Sequence, residues 1–321
     1  MKTLLLYPNI NGHYRTYCEI LSKELNGEVI LIENINVVSL VKFCNKNEIC
    51  SVVFLHGDSD FLKAFVLKLF NRKQKISIIL YYSFLNYSDS IKKYFKFLFI
   101  KLLSYINIRL LFLEFDPNKF KILKNKQTIS LKDPIVLNPP TKVANTNDFI
   151  TYFTAGYIDN RKNIKLLIDV LTRMSEIDNL KRNINIIGKQ SEQISNYLSS
   201  MELPDNIEVF NKNYYFSNEE YEYGLQNCDV VWAYYDRHYG SSSLVINSFF
   251  YNKPVIYNNI GVLKDFSDEI QNIFIVEKNK KSDLINMLFK IEKNFKYNTT
   301  LRTSFLEKRS IKEFSKIIVN Y

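Results

Sequence analysis

Short apolar runs alternate with longer stretches in which apolar residues recur every three or four positions. Leu4–Tyr7, Val29–Ile32, Val52–Leu55, Ile76–Tyr82 and Arg109–Phe115 show the first pattern and predict buried strands. Tyr14–Leu25, Val37–Lys46, Asp60–Phe70 and Ser90–Tyr105 show the second and predict helices. Pro134–Thr141 predicts a last short strand ending in a diproline, and the polar Lys142–Asp148 a linker. A second series then begins. Strands are expected at Phe149–Phe153, Asn183–Ile187, Ile207–Phe210, Asp229–Tyr234 and Pro254–Tyr257. Helices are expected at Lys162–Met174, Glu192–Ser199 and Ser242–Tyr251, with a fourth opened by the capping box Ser217…Glu220 and running to about Leu225. Such alternation predicts parallel sheets covered by helices. The expected fold class is therefore α/β, with two Rossmann-like domains facing across a cleft. Parallel sheets take ligands at the carboxyl ends of their strands, so both sets of loops should serve that cleft.

Glycine is scarce, with eight in 321 residues, and six of them (Gly12, Gly57, Gly156, Gly188, Gly240, Gly261) follow a predicted strand. They mark tight turns or places where backbone approaches a ligand; strand-to-helix turns also use glycine without any ligand. Three of them sit in segments with candidate chemistry. Thr154–Lys165 runs from a strand into a helix and places Arg161 and Lys162 beside free backbone N–H groups, which suits a diphosphate. Asn185–Lys189 repeats the arrangement with Gly188 and Lys189. Trp232–Ser243 ends in Gly240, Ser241, Ser242 and Ser243, hydroxyls that either cradle a phosphate or cap the next helix.

The order Gly156…Lys162, Ile-Ile-Gly188, Cys228-Asp-Val-Val-Trp-Ala, Gly240…Asn252-Lys-Pro-Val-Ile256 and Gly261…Asp265 resembles the donor domain of GT-B glycosyltransferases. It is most similar to the large retaining group that uses sugar nucleotides, glycosyl transferases group 1. The resemblance implies that residues 1–141 form an acceptor-side domain and 142–295 a donor domain, with C-terminal helices at 296–321 packing back on the first. It also implies that Gly156 and Lys162 hold donor phosphates, while Tyr157 and Asn163 depart from the family pattern. The family's Glu-x7-Glu motif falls on Tyr239 and Asn247, so both acids are replaced; Asn247 can still hydrogen-bond a ribose. A glycine loop after the first strand, Gly12, matches the first half. His13 and His56 are candidate catalytic residues on the acceptor side, since an imidazole can polarise an acceptor hydroxyl. A helix-start histidine without function is the competing reading of each.

Composition locates the protein. The net charge is +10, and Leu62–Lys126 carries fourteen Lys/Arg against three Asp/Glu, so the remainder is close to neutral. Phe61–Lys75 and Ile91–Leu103 combine aromatic residues with lysine at helical spacing, which predicts helices on an anionic membrane surface. No nucleic-acid motif is present. Tyr94–Phe115 is broken by Lys96, Lys101 and Arg109, so no transmembrane helix is expected, and the N-terminal apolar run is too short for a signal peptide. Four cysteines without CxxC spacing and three histidines predict a reducing cytoplasm and no zinc. Asp58-Ser-Asp60 matches a metal motif of the other glycosyltransferase fold, but at a helix start it reads as capping; no metal or other cofactor is expected. The resemblance thus implies transfer of a sugar from a nucleotide-diphosphate donor to a glycan or lipid-linked acceptor, in bacterial surface-polysaccharide synthesis, by a protein peripheral on the cytoplasmic membrane face. A sugar-nucleotide 2-epimerase and a non-catalytic partner subunit are the alternatives.

Overall fold

The computed structural model describes residues 2–8, 13–25, 27–81, 91–119, 123–139, 148–238, 240–270, 274–276, 281–293 and 299–319. Most of the expected linker, Lys142–Asp148, lies outside them, as does Gly12. The chain divides into two compact units. One gathers Met1–Val136, Tyr239–Ser241 and Lys308–Tyr321; the other gathers Leu137–His238 and Ser242–Glu307.

The first unit contains β1 (Lys2–Tyr7), α1 (His13–Glu24), β2 (Glu28–Glu33), α2 (Val37–Lys46), β3 (Ser51–Phe54), α3 (Gly57–Phe70), β4 (Lys75–Leu80), α4 (Ile91–Tyr105), β5 (Ile108–Leu113) and β6 (Thr128–Leu131). Its sheet is parallel throughout, ordered β2-β1-β3-β4-β5-β6, with Leu4 beside Val52 and Ile78 beside Leu110. β5 is buried at every position, and apart from Arg109 its residues are apolar, as a strand covered on both faces requires. Its Arg109 donates to the carbonyl of Ile318, at 3.4 Å.

The last strand of this sheet is not Pro134–Thr141 but the Thr-Ile-Ser-Leu of β6. The β-branched Thr128 and Ile129 favour a strand there, whereas Pro134 has no N–H to give a ladder. The N–H of Ile135 goes instead to the carbonyl of Arg309.

The second unit contains β7 (Phe149–Ala155), α5 (Ile164–Ser175), β8 (Lys181–Ile187), α6 (Glu192–Ser200), β9 (Ile207–Lys212), α7 (Asn218–Asn227), β10 (Val230–Ala233), α8 (Ser243–Phe250), β11 (Val255–Asn258), α9 (Leu263–Glu269), β12 (Phe274–Val276), α10 (Lys281–Lys293) and α11 (Thr299–Glu307). Its sheet is also parallel, ordered β12-β11-β10-β7-β8-β9. The expected capping box opens α7: Ser217 Oγ accepts from Glu220 N, and Glu220 accepts from Ser217 N. The core beneath α5 holds Leu167, Leu171, Ile184, Ile186 and Trp232.

The C-terminal segment is shared. Phe305 of α11 packs edge-on against Phe249 and Phe266 in the second unit. The final helix, α12 (Ile311–Val319), returns to the first unit, where Phe314 and Ile318 join the core with Tyr17, Leu111 and Leu113. Just before it, the Arg309 guanidinium meets Glu114 in two parallel hydrogen bonds of 2.9 and 2.6 Å, both side chains fully buried. Removing one partner strands the other charge, so Arg309→Ala is expected to lower stability by about 3–5 kcal/mol. Replacing both residues together with Met should cost far less. Chemical denaturation measures both, and an unstable double variant would show that the site depends on more than the stranded charge.

Candidate active site

All strands of the second sheet run the same way, so the loops after β7, β8, β10 and β11 share one edge. Two glycines set the geometry there. Gly156 (φ +105°) ends β7 and Gly188 (φ +131°) ends β8, both in backbone conformations that side chains rarely adopt. A Cβ on Gly188 would lie 1.9 Å from the carbonyl oxygen of Gly156, so only glycine permits this approach. The ammonium of Lys162 lies directly over Gly156, 3.4 Å from where a Cβ would be. It donates to Ala155 O at 2.7 Å and to the Tyr235 hydroxyl at 3.4 Å, and stands 4.7 Å from the Tyr235 ring centre. Tyr235 in turn contacts Ser242 Oγ at 3.2 Å, and its backbone is held at both ends by the Asn258 amide at the end of β11. Lys162, Tyr235 and Ser242 thus form a chain from the β7 loop to the start of α8.

Lys162 itself is not in α5. Residues Asn160–Lys162 form a 3-10 turn, Asn163 takes a left-handed conformation (φ 50°, ψ 40°), and α5 starts at Ile164. The expected helix from Lys162 therefore begins two residues late. The Asp159 carboxylate caps that turn, accepting from Arg161 N and pairing with Arg161 Nε at 2.8 Å. Arg161 is thus a partly exposed cation with a neighbouring acid, and its carbonyl takes the N–H of Asp236. Trp232 Nε1 donates to the Lys162 carbonyl at 2.9 Å, fixing the turn against β10.

The remaining candidates are distributed as follows. Lys189 is exposed, and its carbonyl accepts from Ile158 N. Ser242 is buried and caps α8, its Oγ accepting from Val245 N; Ser243 is exposed in the first turn. Asn247 sits on the inner side of α8, donating to the Tyr221 hydroxyl on α7 at 3.2 Å. Gly240 and Ser241 keep company with the first unit: a Cβ on Gly240 would lie 3.2 Å from Tyr81 O, and Ser241 Oγ donates to Asp133 at 3.2 Å. Gly240 and Ser241 thus belong to the first unit, and Ser242 and Ser243 to the second. Tyr235, Asn258 and Asp159 were not among the sequence candidates. Tyr235 stands two residues past β10, and no residue type there marks it; only its contacts do.

The carboxyl edge of the first sheet carries a separate cluster. His56 precedes α3, its Nδ1 2.7 Å from Ser59 Oγ and its ring 5.6 Å from Tyr14 and 5.9 Å from Tyr81. His13 opens α1. Asp58 accepts from Tyr81 N, and Asp60 pairs with Lys63 at 2.9 Å. Desolvation, followed by the charges of Asp58 and Asp60, raises the Tyr14 phenol well above its ordinary range, so it stays neutral. Asp133, after β6, accepts from the Tyr17 hydroxyl at 2.6 Å. Burial of its carboxyl pushes it up to about 6, against the hydrogen bond from Tyr17.

The edge of the second sheet thus offers an ammonium over bare backbone and the N-termini of α5 and α8, an arrangement suited to a diphosphate. The sequence profile described as "Glycosyl transferases group 1" matches residues 140–304, and no curated protein matches. Among solved structures, HepE from Anabaena, in complex with UDP, superposes with a TM-score of 0.73 at 11% identity, covering 99% of this chain and 98% of that one. WaaB, a lipopolysaccharide outer core galactosyltransferase in its apo form, gives 0.67 at 12%, covering 99% of each. TarM, known from S. aureus, gives 0.64 at 18%, covering 90% of this chain, which spans only 58% of TarM's length. These likenesses share the two-domain GT-B fold. The profile covers half of the chain, including Gly156, Lys162, Gly188 and α8, and on that ground the protein belongs to the glycosyl transferases group 1 family.

Proposed function

We propose that the protein transfers a sugar from a nucleotide-diphosphate donor to a glycan or lipid-linked acceptor in bacterial surface-polysaccharide synthesis. The observation that carries this reading is the Lys162 ammonium lying on Gly156 at the end of β7. In transfer, the bond between the sugar's C1 and the phosphate oxygen breaks, and negative charge grows on the departing diphosphate. A cation held there, with two helix N-termini, stabilises that charge where it develops. Retention of configuration follows the family resemblance. His56 and His13, on the first unit, are the acceptor-side candidates. The relatives in complex with UDP or UDP-glucose support a uridine nucleotide as the first donor to test. In a thermal-shift screen of nucleoside diphosphates, UDP should stabilise the wild type through linkage. Lys162→Ala should weaken that binding by about tenfold or more, the worth of one hydrogen bond to a charged group. Unchanged affinity in that variant would refute the phosphate assignment.

A second reading is a non-catalytic subunit of the same fold. It is favoured by the replacement of both motif glutamates and by Asn247 being engaged with Tyr221. Turnover decides: UDP-glucose hydrolysis, or transfer to lipid acceptors, by the folded chain excludes it.

The same reading places the protein peripherally on the cytoplasmic face of the membrane. No helix among the described residues is long and apolar enough to cross one. α3 and α4 are neighbours through Phe61, Phe65 and Phe99, with ring centres 5.3 and 5.5 Å apart. α4 buries Phe97, Ile100 and Leu103 and exposes Phe95, Leu98, Leu102 and Tyr105 along one stripe. α3 exposes Leu62, Leu69 and Phe70. An apolar stripe in a region of net positive charge suits an anionic lipid surface. The chain should therefore sediment with phosphatidylglycerol vesicles at low salt, far less with phosphatidylcholine vesicles, and Leu98→Asp should release it. Equal partition onto both vesicle types would remove the electrostatic part of the proposal.

A further inference from the structure

One edge of the second unit's sheet carries an exposed pattern that is symmetric about its own centre. β9 is the last strand of that sheet, beside β8. Strand pairing places Phe153, Asn185 and Phe210 in one row on one face. α7 covers this row at its inner end, where a Cβ on Gly224 would stand 2.2 Å from the Phe153 ring. Exposure then rises outward, from buried Phe153 through half-buried Asn185 to Phe210, which is 44% exposed. Glu208 and Lys212 stand two residues to either side of Phe210, so all three project from the same face. Glu208 is exposed, and the Lys212 side chain is 53% exposed with Glu220 at 3.7 Å.

The backbone of β9 has a matching order. Asn206 and Lys212 turn their carbonyls to β8, accepting from Arg182 N and Gly188 N. Alternate residues of a parallel ladder face the same neighbour, so Glu208 and Phe210 also bond to β8. Val209 and Asn211 then turn their N–H and C=O groups to the outer edge, which is a template for a further strand. Laid antiparallel against a second copy, with Phe210 on the two-fold axis, β9 matches itself. Val209 of each copy falls opposite Asn211 of the other in a hydrogen-bonded pair. Phe210 meets Phe210, and Glu208 meets Lys212 twice, in the pairs where side chains come closest. A surface that binds its own copy must be complementary to itself. An acid and a base at equal distances from a central ring meet that demand, which an unrelated partner would not impose. β2, at an edge of the other sheet, has the opposite design: with Glu28 and Glu33 at its ends, the same symmetric pairing would set acid against acid. Tyr214 and Tyr215, exposed directly after β9, add aromatic surface beside the edge.

We propose that the β9 edge is a homodimer interface, in which two copies pair antiparallel about Phe210 and join their sheets into one. The proposal is independent of the donor-site reading.

Sedimentation of the full-length chain over a range of concentrations tests it. The wild type should dimerise. Glu208→Lys sets lysine against lysine in both cross-strand pairs, and Lys212→Glu sets acid against acid, so each variant alone should dimerise about tenfold more weakly or worse. Mixed in equal amounts, the two variants should form a heterodimer as tight as the wild-type dimer, because each lysine then faces a glutamate. The double variant, with the charges exchanged within one chain, should also dimerise like the wild type. Loss of folding would not be rescued in either way. A wild type that stays monomeric at the highest attainable concentration overturns the proposal. Single variants that dimerise as well as the wild type overturn it too, as does a failure of both the mixture and the double variant to recover.

Discussion

The contact between Gly188 and the carbonyl of Gly156 is the constraint around which the second unit's site is arranged. A methyl group at Gly188 would overlap the Gly156 carbonyl, so the loops after β7 and β8 meet only because Gly188 carries no side chain there. The meeting leaves bare backbone at the sheet edge, and the Lys162 ammonium lies on it. Everything else at that edge then falls into place by parallel strand direction. β10 delivers Tyr235 and β11 delivers Asn258 to the same end of the sheet, because no strand of the sheet runs backwards.

Among the described residues, each unit also has a buried ion network that ties in a distant segment. In the second, Arg182 on β8 is fully buried and binds Glu292 on α10 and Asp178, while the Tyr152 hydroxyl donates to the same Glu292. In the first, Glu114 and Arg309 attach the segment leading into α12. Buried pairs of this kind repay little net stability, because desolvation offsets their attraction, but a single broken partner is severe.

The basic region has a mixed fate. Arg109 is inside the first unit, bonded to a carbonyl at the end of α12, and Lys68 donates to the carbonyls of Arg72 and Gln74. Part of the sequence's positive charge thus serves internal carbonyls, and the surface argument rests on the exposed apolar stripe of α4 as much as on net charge. Charge counting treats every lysine and arginine alike. Burial separates them.

Periodicity alone determined the alternation of strand and helix and the division into two α/β units, because buried parallel strands and amphipathic helices leave different spacings. It missed β6, since four residues are too short a signal and the following Pro134 segment imitated a strand. It started α5 early, because the polar Lys162 and Asn163 carry no apolar signal to mark the boundary, which the left-handed Asn163 sets. The glycines and Lys162 were legible as candidates, for glycine's freedom at φ > 0 is a property of the residue itself. What only the tertiary structure decided is which candidates share partners. Lys162 reaches Tyr235 from 73 positions away, and Ser241 reaches Asp133 from 108. The four consecutive residues from Gly240 to Ser243 divide between two sets of contacts. Hydrogen bonds act over about 3 Å, and no spacing along a chain reports which distant segments come that close.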